Sequence, residues 1–174
     1  MAGLHRLVVL RHAKSARPQG VDDHDRPLAE RGLRDAPAAG EWLRDSGYAP
    51  DLVLCSTATR ARHTWDLAAA RLAARPPVRH DRRLYGTHAA DLLTVIRETA
   101  DDVGTLLLVG HNPAVQELIL LLAAEALGDA LDRVREKFPT AAIAVLVRQG
   151  PWLEITPGGA LLTDLAVARG PKPL

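Results

Sequence analysis

"TLLLVGHNP", Thr105 to Pro113, decides the fold. A continuous apolar run of strand length stops at Gly110, and His111 follows directly. Asn112 then stands where a helix N-cap is wanted. Pro113 takes the first helical position, where its fixed φ suits the helix and its missing N–H costs nothing. The apolar stretch beyond it, "LILLLAAEAL", predicts a core helix running to about Leu127. A strand apolar on both faces that feeds straight into a helix is the repeating unit of a parallel sheet covered by helices.

The same pattern recurs on either side. Leu7 to Leu10 is a β-branched-rich run that ends in Arg11 and His12. "LVLC", Leu52 to Cys55, ends in "STATRARHT", where Ser56 and Thr57 can cap a helix reaching about Ala74. Ala61, Trp65, Ala68 and Leu72 fall on one face of that helix. Between these strands lie a polar loop, "ARPQGVDDHDRP", and a helix expected from Ala29 to Asp45, with Pro37 inside it as an expected kink. Val78 to His80 reads as a short strand and Asp91 to Thr99 as a helix. "AAIAVLV" and "WLEI" read as two strands joined by "RQGP", a hairpin. The segment 158–174, with Gly158, Gly159, Pro171 and Pro173, is expected to be a loose tail. The whole predicts an α/β fold, a three-layer α/β/α sandwich with a mostly parallel central sheet, in one domain over residues 1–174.

Composition narrows the partners. Lys and Arg number 22 against 21 Asp and Glu, a net charge of +1, so no global field recruits nucleic acid or an anionic membrane. Lys14, Lys137 and Lys172 are the only lysines, so an anion site here must be built mainly from arginine. A lone cysteine, Cys55, excludes an intrachain disulfide and a cysteine-based zinc site, and suits a reducing cytoplasm, the expected location. The apolar stretch near the N-terminus is too short and interrupted for a secretory signal, and "LILLLAAEAL" is about half of what a bilayer span needs.

In open α/β sheets, ligands gather outside the carboxyl ends of the strands. Three such ends carry chemistry: Arg11 and His12 after the first strand, Arg60 in the first turn after the second, and His111 before the capped helix. Singly, each reads most simply as a surface or structural residue. Together they place two guanidinium forks, two imidazoles and two helix N-termini in one crevice, which suits a phosphate. Neutral imidazole is a competent nucleophile, and phosphoryl transfer through a covalent histidine needs these groups. The histidines show no i, i+4 or H-x-H pairing with carboxylates, so neither a metal nor another cofactor is expected. The H-x-K pair His12–Lys14 lacks the Asp that a phospholipase-D-type motif requires five residues on, because position 19 is Gln.

"LRHAKS", "RPLAERG", "CSTATRARHTW" and "LLLVGHNP", in that order, resemble the motifs of the histidine phosphatase superfamily with its phosphoglycerate mutase-like fold. They are most similar to the small SixA-type phosphohistidine phosphatases. The resemblance implies that His12 accepts the phosphoryl group, that Arg11 and Arg60 bind it, that His111 is the second site histidine, and that Arg26 reaches the phosphate pocket. It further implies a phosphohistidine-bearing protein as substrate. A small phosphate ester, a mutase reaction, or a regulatory module that binds phosphate without turnover are the alternatives. Two departures stand out. Ala13 replaces the usual Gly after the nucleophile, so Lys14 and Ser15 are candidates to line an altered pocket. "HDRRLYGTHAAD" offers Asp81, His88 and Asp91 but no Glu where mutase-like relatives supply a general acid.

Overall fold

A computed structural model describes residues 3–174. Seven strands form one sheet: β1 (Leu4–Arg11), β2 (Leu52–Ser56), β3 (Val78–Asp81), β4 (Thr105–Gly110), β5 (Ala123–Ala126), β6 (Ala142–Gln149) and β7 (Ala160–Val167). Five helices alternate with them: α1 (Glu30–Asp45), α2 (Thr59–Ala69), α3 (Ala89–Arg97), α4 (Ala114–Leu122) and α5 (Ala130–Glu136). The strand order is β3-β2-β4-β1-β6-β7-β5. Pairs β1–β4, β2–β4, β2–β3 and β5–β7 are parallel, and only β6 runs against its neighbours β1 and β7. The fold is thus the expected α/β sandwich with a mostly parallel sheet.

The core follows from the two-residue period of the strands. Leu7 and Val9 of β1, with Leu106 and Leu108 of β4, face one way, onto Leu92 and Ile96 of α3 and Leu118 and Ile119 of α4. Val8 and Leu10, with Leu107 and Val109, face the other way, onto Ala36 and Leu43 of α1 and Trp65 of α2. Burial on both faces is why β1 and β4 read as unbroken apolar runs.

Several sequence expectations need correction. Residues 158–174 are not a loose tail: Ala160–Val167 is β7, paired with both β6 and β5. The Gly and Pro residues that signalled looseness flank this strand rather than interrupt it. "WLEI" is not a strand but a 3-10 turn over Trp152–Glu154. Its Trp152 is fully buried, and the indole N–H donates to the Val103 carbonyl at 2.8 Å. The strand that pairs with β6 is therefore β7. The helix expected to reach Leu127 ends at Leu122, and Ala123–Ala126 is β5 despite its helix-forming composition, because β7 offers it a parallel partner. The helix expected to reach Ala74 ends at Ala69, and Pro37 lies within an uninterrupted α1.

Helices α1 and α2 approach closely at Gly40, where a Cβ would stand 2.1 Å from the Ala68 carbonyl oxygen. Gly40→Ala must push the helices apart, and overpacking of this kind costs about 1–3 kcal/mol. At roughly 2–4 °C per kcal/mol for a chain of this size, thermal unfolding should occur several degrees lower. An unchanged Tm would show that the contact yields without cost.

Candidate active site

Strands β1 and β4 end level with each other, Arg11 opposite Gly110. The next residues, His12 and His111, are therefore neighbours, with ring centroids 5.1 Å apart and planes at 53°. The His12 amide donates to the Gly110 carbonyl at 3.1 Å and continues the ladder past the strand end. The residue is 7% exposed. Nδ1 lies 2.8 Å from the Ala13 carbonyl oxygen. A carbonyl can only accept, so Nδ1 carries the hydrogen and Nε2 keeps its lone pair. Burial, reinforced by the nearby Arg60, Arg11 and Arg26, brings the His12 pKa down to about 4. Burial, then His12 and Arg60, brings His111 down to about 3. Both rings are neutral at pH 7.

The loop after β2 supplies the rest, and Ser56, Arg60, Ala61 and Thr64 of "STATRARHT" each have a contact to explain them. Ser56 Oγ accepts from the Ala58 amide at 3.2 Å and lies 2.7 Å from His111 Nε2. Ala61 is fully buried in the core. Thr64 Oγ1 donates to the Arg60 carbonyl at 2.7 Å and accepts from the Ala13 amide at 3.0 Å, tying α2 to the residue after His12. Ala13 itself is wholly buried in the core on the α1–α2 side of the sheet.

Three of the guanidinium groups around the pocket are oriented by carbonyl oxygens. Arg11 Nη1 donates to Phe138 O at 3.1 Å. Arg60 Nη1 donates to Asp23 O at 2.6 Å. Arg26 Nε donates to Ala16 O at 3.0 Å, and its Nη2 to Ser15 Oγ. Among the residues that line the pocket, two buried nitrogens have no partner, Arg11 Nε and His111 Nδ1. Arg11, His12, Arg26, Arg60 and His111 all line one cavity of about 200 Å³, together with Lys14 and Ser15.

Asp81, His88 and Asp91 do not line this cavity. Asp81 is paired with Arg83 at 2.8 Å, His88 is exposed at the start of α3, and Asp91 accepts from Thr87. Two residues that went unnoticed in the sequence do shape it. The Asp23 carboxylate bridges Arg26 Nη1 at 2.8 Å and Arg60 Nη2 at 3.1 Å, and accepts from the Tyr85 hydroxyl at 2.6 Å. Those bonds, Tyr85's first, hold Asp23 well below the ordinary carboxylate range. The Tyr85 ring also meets His111 edge-on, with centroids 5.6 Å apart. The three-residue spacing of Asp23 and Arg26 was a readable signal for their ion pair. The link to Tyr85, across 62 residues, was not.

The chain is similar to known proteins over most of its length. A model of the histidine phosphatase superfamily (branch 1) matches residues 7–138. An uncharacterised protein of Mycobacterium tuberculosis strain H37Rv is 49% identical over 162 residues, spanning 92% of this chain and all of that one. A candidate phosphohistidine phosphatase SixA from Nakamurella multipartitia superposes with a TM-score of 0.83 at 34% identity, over 96% of this chain and 98% of that one. The protein histidine phosphatase SixA, solved with tungstate, shares the fold at 20% identity, with a TM-score of 0.75 over 93% of this chain and 96% of that one. With the motifs in order, the sheet in the same arrangement and the family model spanning most of its length, the chain belongs to the histidine phosphatase superfamily, in its SixA-type branch.

Proposed function

We propose that the protein is a phosphohydrolase that carries the phosphoryl group on His12 Nε2 and takes phosphohistidine side chains of other proteins as substrates. The observation behind this reading is a neutral imidazole, its Nε2 lone pair uncommitted, inside a pocket lined by four arginines, Arg11, Arg17, Arg26 and Arg60. In the first step Nε2 attacks phosphorus and forms a P–N bond as the bond to the leaving group breaks. In the second, water attacks the same phosphorus, the P–N bond breaks, and inorganic phosphate leaves with His12 neutral again. Arg11, Arg26 and Arg60 bind the phosphoryl oxygens and supply the positive charge, so this reading requires no metal. The unpartnered Arg11 Nε and His111 Nδ1 are suited to meet two of those oxygens.

The site also limits the leaving group. Asp23 is held ionised and His111 is neutral down to about pH 3, so neither has a proton to give at pH 7. An alkyl ester must expel an alkoxide unaided, forgoing the roughly 10²–10⁴-fold that general acid catalysis supplies. The imidazole of phosphohistidine, with a conjugate-acid pKa of about 6.5, departs without that help. Aryl phosphates fall between. Values of kcat/KM should therefore descend from phosphohistidine to aryl phosphate to alkyl phosphate. Equal turnover of a sugar phosphate and phosphohistidine would overturn the substrate assignment.

His12→Ala should lose nearly all turnover while keeping the thermal unfolding of the parent. Quenching the parent during turnover should trap an acid-labile, alkali-stable phosphoenzyme, as a phosphoramidate is. An acid-stable adduct, or activity abolished by a strong chelator, would overturn the mechanism.

The depressed pKa of His12 predicts a pH dependence in the ligand-free protein. Its folded value, about 4, lies below the unfolded value of about 6.5. The unfolded chain thus takes up the proton first as pH falls. The stability contributed by the neutral ring is complete above pH 6.5 and is lost between there and pH 4. NMR titration of the His12 ring should give a midpoint near 4, with Tm declining over the same interval. A midpoint at 6.5 or above would contradict the buried, cation-flanked environment.

A further inference from the structure

The pocket is larger and more cationic than one phosphoryl group requires. The cavity of about 200 Å³ is lined by Lys14, Arg17 and Thr140 as well as by the groups around His12. A water molecule's share of liquid volume is about 30 Å³, so there is room beside a phosphoryl group for another small polar group. Five cationic side chains line it: Arg11, Lys14, Arg17, Arg26 and Arg60. One carboxylate, Asp23, contacts two of them. A bound phosphoryl group brings a charge of about −1.5 to −2. Roughly two positive charges are left without a counter-charge. Among the described residues, Lys14 and Arg17 are the two lining cations whose side chains make no hydrogen bond or ion pair, whereas the adjacent Arg31 is held by Asp35 and Thr140.

The backbone that carries these two cations is fixed. Ser15 bridges to Leu28, the Lys14 carbonyl accepts from the Ala29 amide at 2.8 Å, and the Ala16 amide donates to Pro27 O at 2.9 Å. Gly32 of α1 packs so closely that a Cβ there would lie 2.1 Å from the Lys14 carbonyl oxygen. Asp23 bonds Arg26 and Arg60 and makes no bond to Lys14 or Arg17, so its negative charge is committed to the other two cations. We infer that Lys14 and Arg17 form a second anion subsite that selects substrates with a carboxylate or phosphate group close to the scissile phosphoryl. The inference rests on the phosphoryl reading of the pocket given above. The second anion can belong to the same small molecule or to an acidic residue flanking a phosphohistidine.

The test is a ratio. kcat/KM is measured for phenyl phosphate and 3-carboxyphenyl phosphate, and for two phosphohistidine peptides flanked by Glu or by Gln. Two partly exposed charge contacts should favour the anionic member of a pair by roughly three- to tenfold at low salt. A preference in the aryl pair alone identifies a small-molecule source, and one in the peptide pair an acidic flanking residue. The preference should shrink toward one in Lys14→Ala/Arg17→Ala and at high salt, and persist in the charge-conserving Lys14→Arg/Arg17→Lys. No preference in the parent, or one unchanged in the alanine double variant, overturns the subsite. If the parent turns over none of the four compounds, the phosphohydrolase reading fails instead. Calorimetric binding of phenyl and 3-carboxyphenyl phosphate to parent and alanine variant then decides the subsite by the same ratio.

Discussion

Everything in the pocket depends on the register between β1 and β4. With Arg11 opposite Gly110, the residues that follow fall side by side, and the His12 amide closes the last rung onto the Gly110 carbonyl. A slip of one residue would turn the side chains of β1 to the opposite face and carry His12 away from His111. The core prevents it, since Leu7 and Val9 are buried on one face and Val8 and Leu10 on the other, each fitted to different helices. Gly110 matters for the same reason: a Cβ there would meet Val115 Cγ1 at 2.9 Å, where the chain turns into α4. Strand β2 joins through Cys55 opposite Val109, which brings Ser56 within reach of His111.

Electrostatics then makes two requirements coincide. A phosphoryl site needs concentrated positive charge, and a histidine nucleophile needs to be neutral. Here burial does most to keep the His12 ring neutral, and the same guanidinium groups that concentrate positive charge reinforce it. The arginines do not depend on the ligand for their orientation, since carbonyl oxygens of Phe138, Ala16 and Asp23 already hold them. Asp23 offsets part of the charge on Arg26 and Arg60 and bonds none of the other lining cations.

How much of this was legible in the sequence followed the range of the interactions. The strand-to-helix junctions are local events, so "TLLLVGHNP" announced both the sheet and its exposed end. The placement of Arg11, His12, Arg60 and His111 in one crevice followed from parallel strands ending on one side. Contacts closed by distant segments were silent. Tyr85 reaches Asp23 from a stretch that drew attention only for Asp81, His88 and Asp91, and β5 is a strand only because β7 lies beside it. Trp152 looked like the start of a strand because a buried aromatic and its aliphatic neighbours read alike in a strand and in a turn tucked under the sheet. Asp81 and His88 looked available because sequence does not reveal that Arg83 claims one and that the other faces solvent.

Because β7 lies between β6 and β5, the sheet cannot be finished in the order in which a ribosome delivers it. β5 emerges well before the one strand it pairs with, and until then Ala123–Ala126 presents open backbone groups of the kind that invite wrong partners. The four strands β1 to β4, by contrast, find each other among themselves, and they carry Arg11, His12, Arg60 and His111 at their ends. In the nascent protein the chemistry-bearing half is therefore off the ribosome first, and the far edge is sealed only by the last strand to arrive.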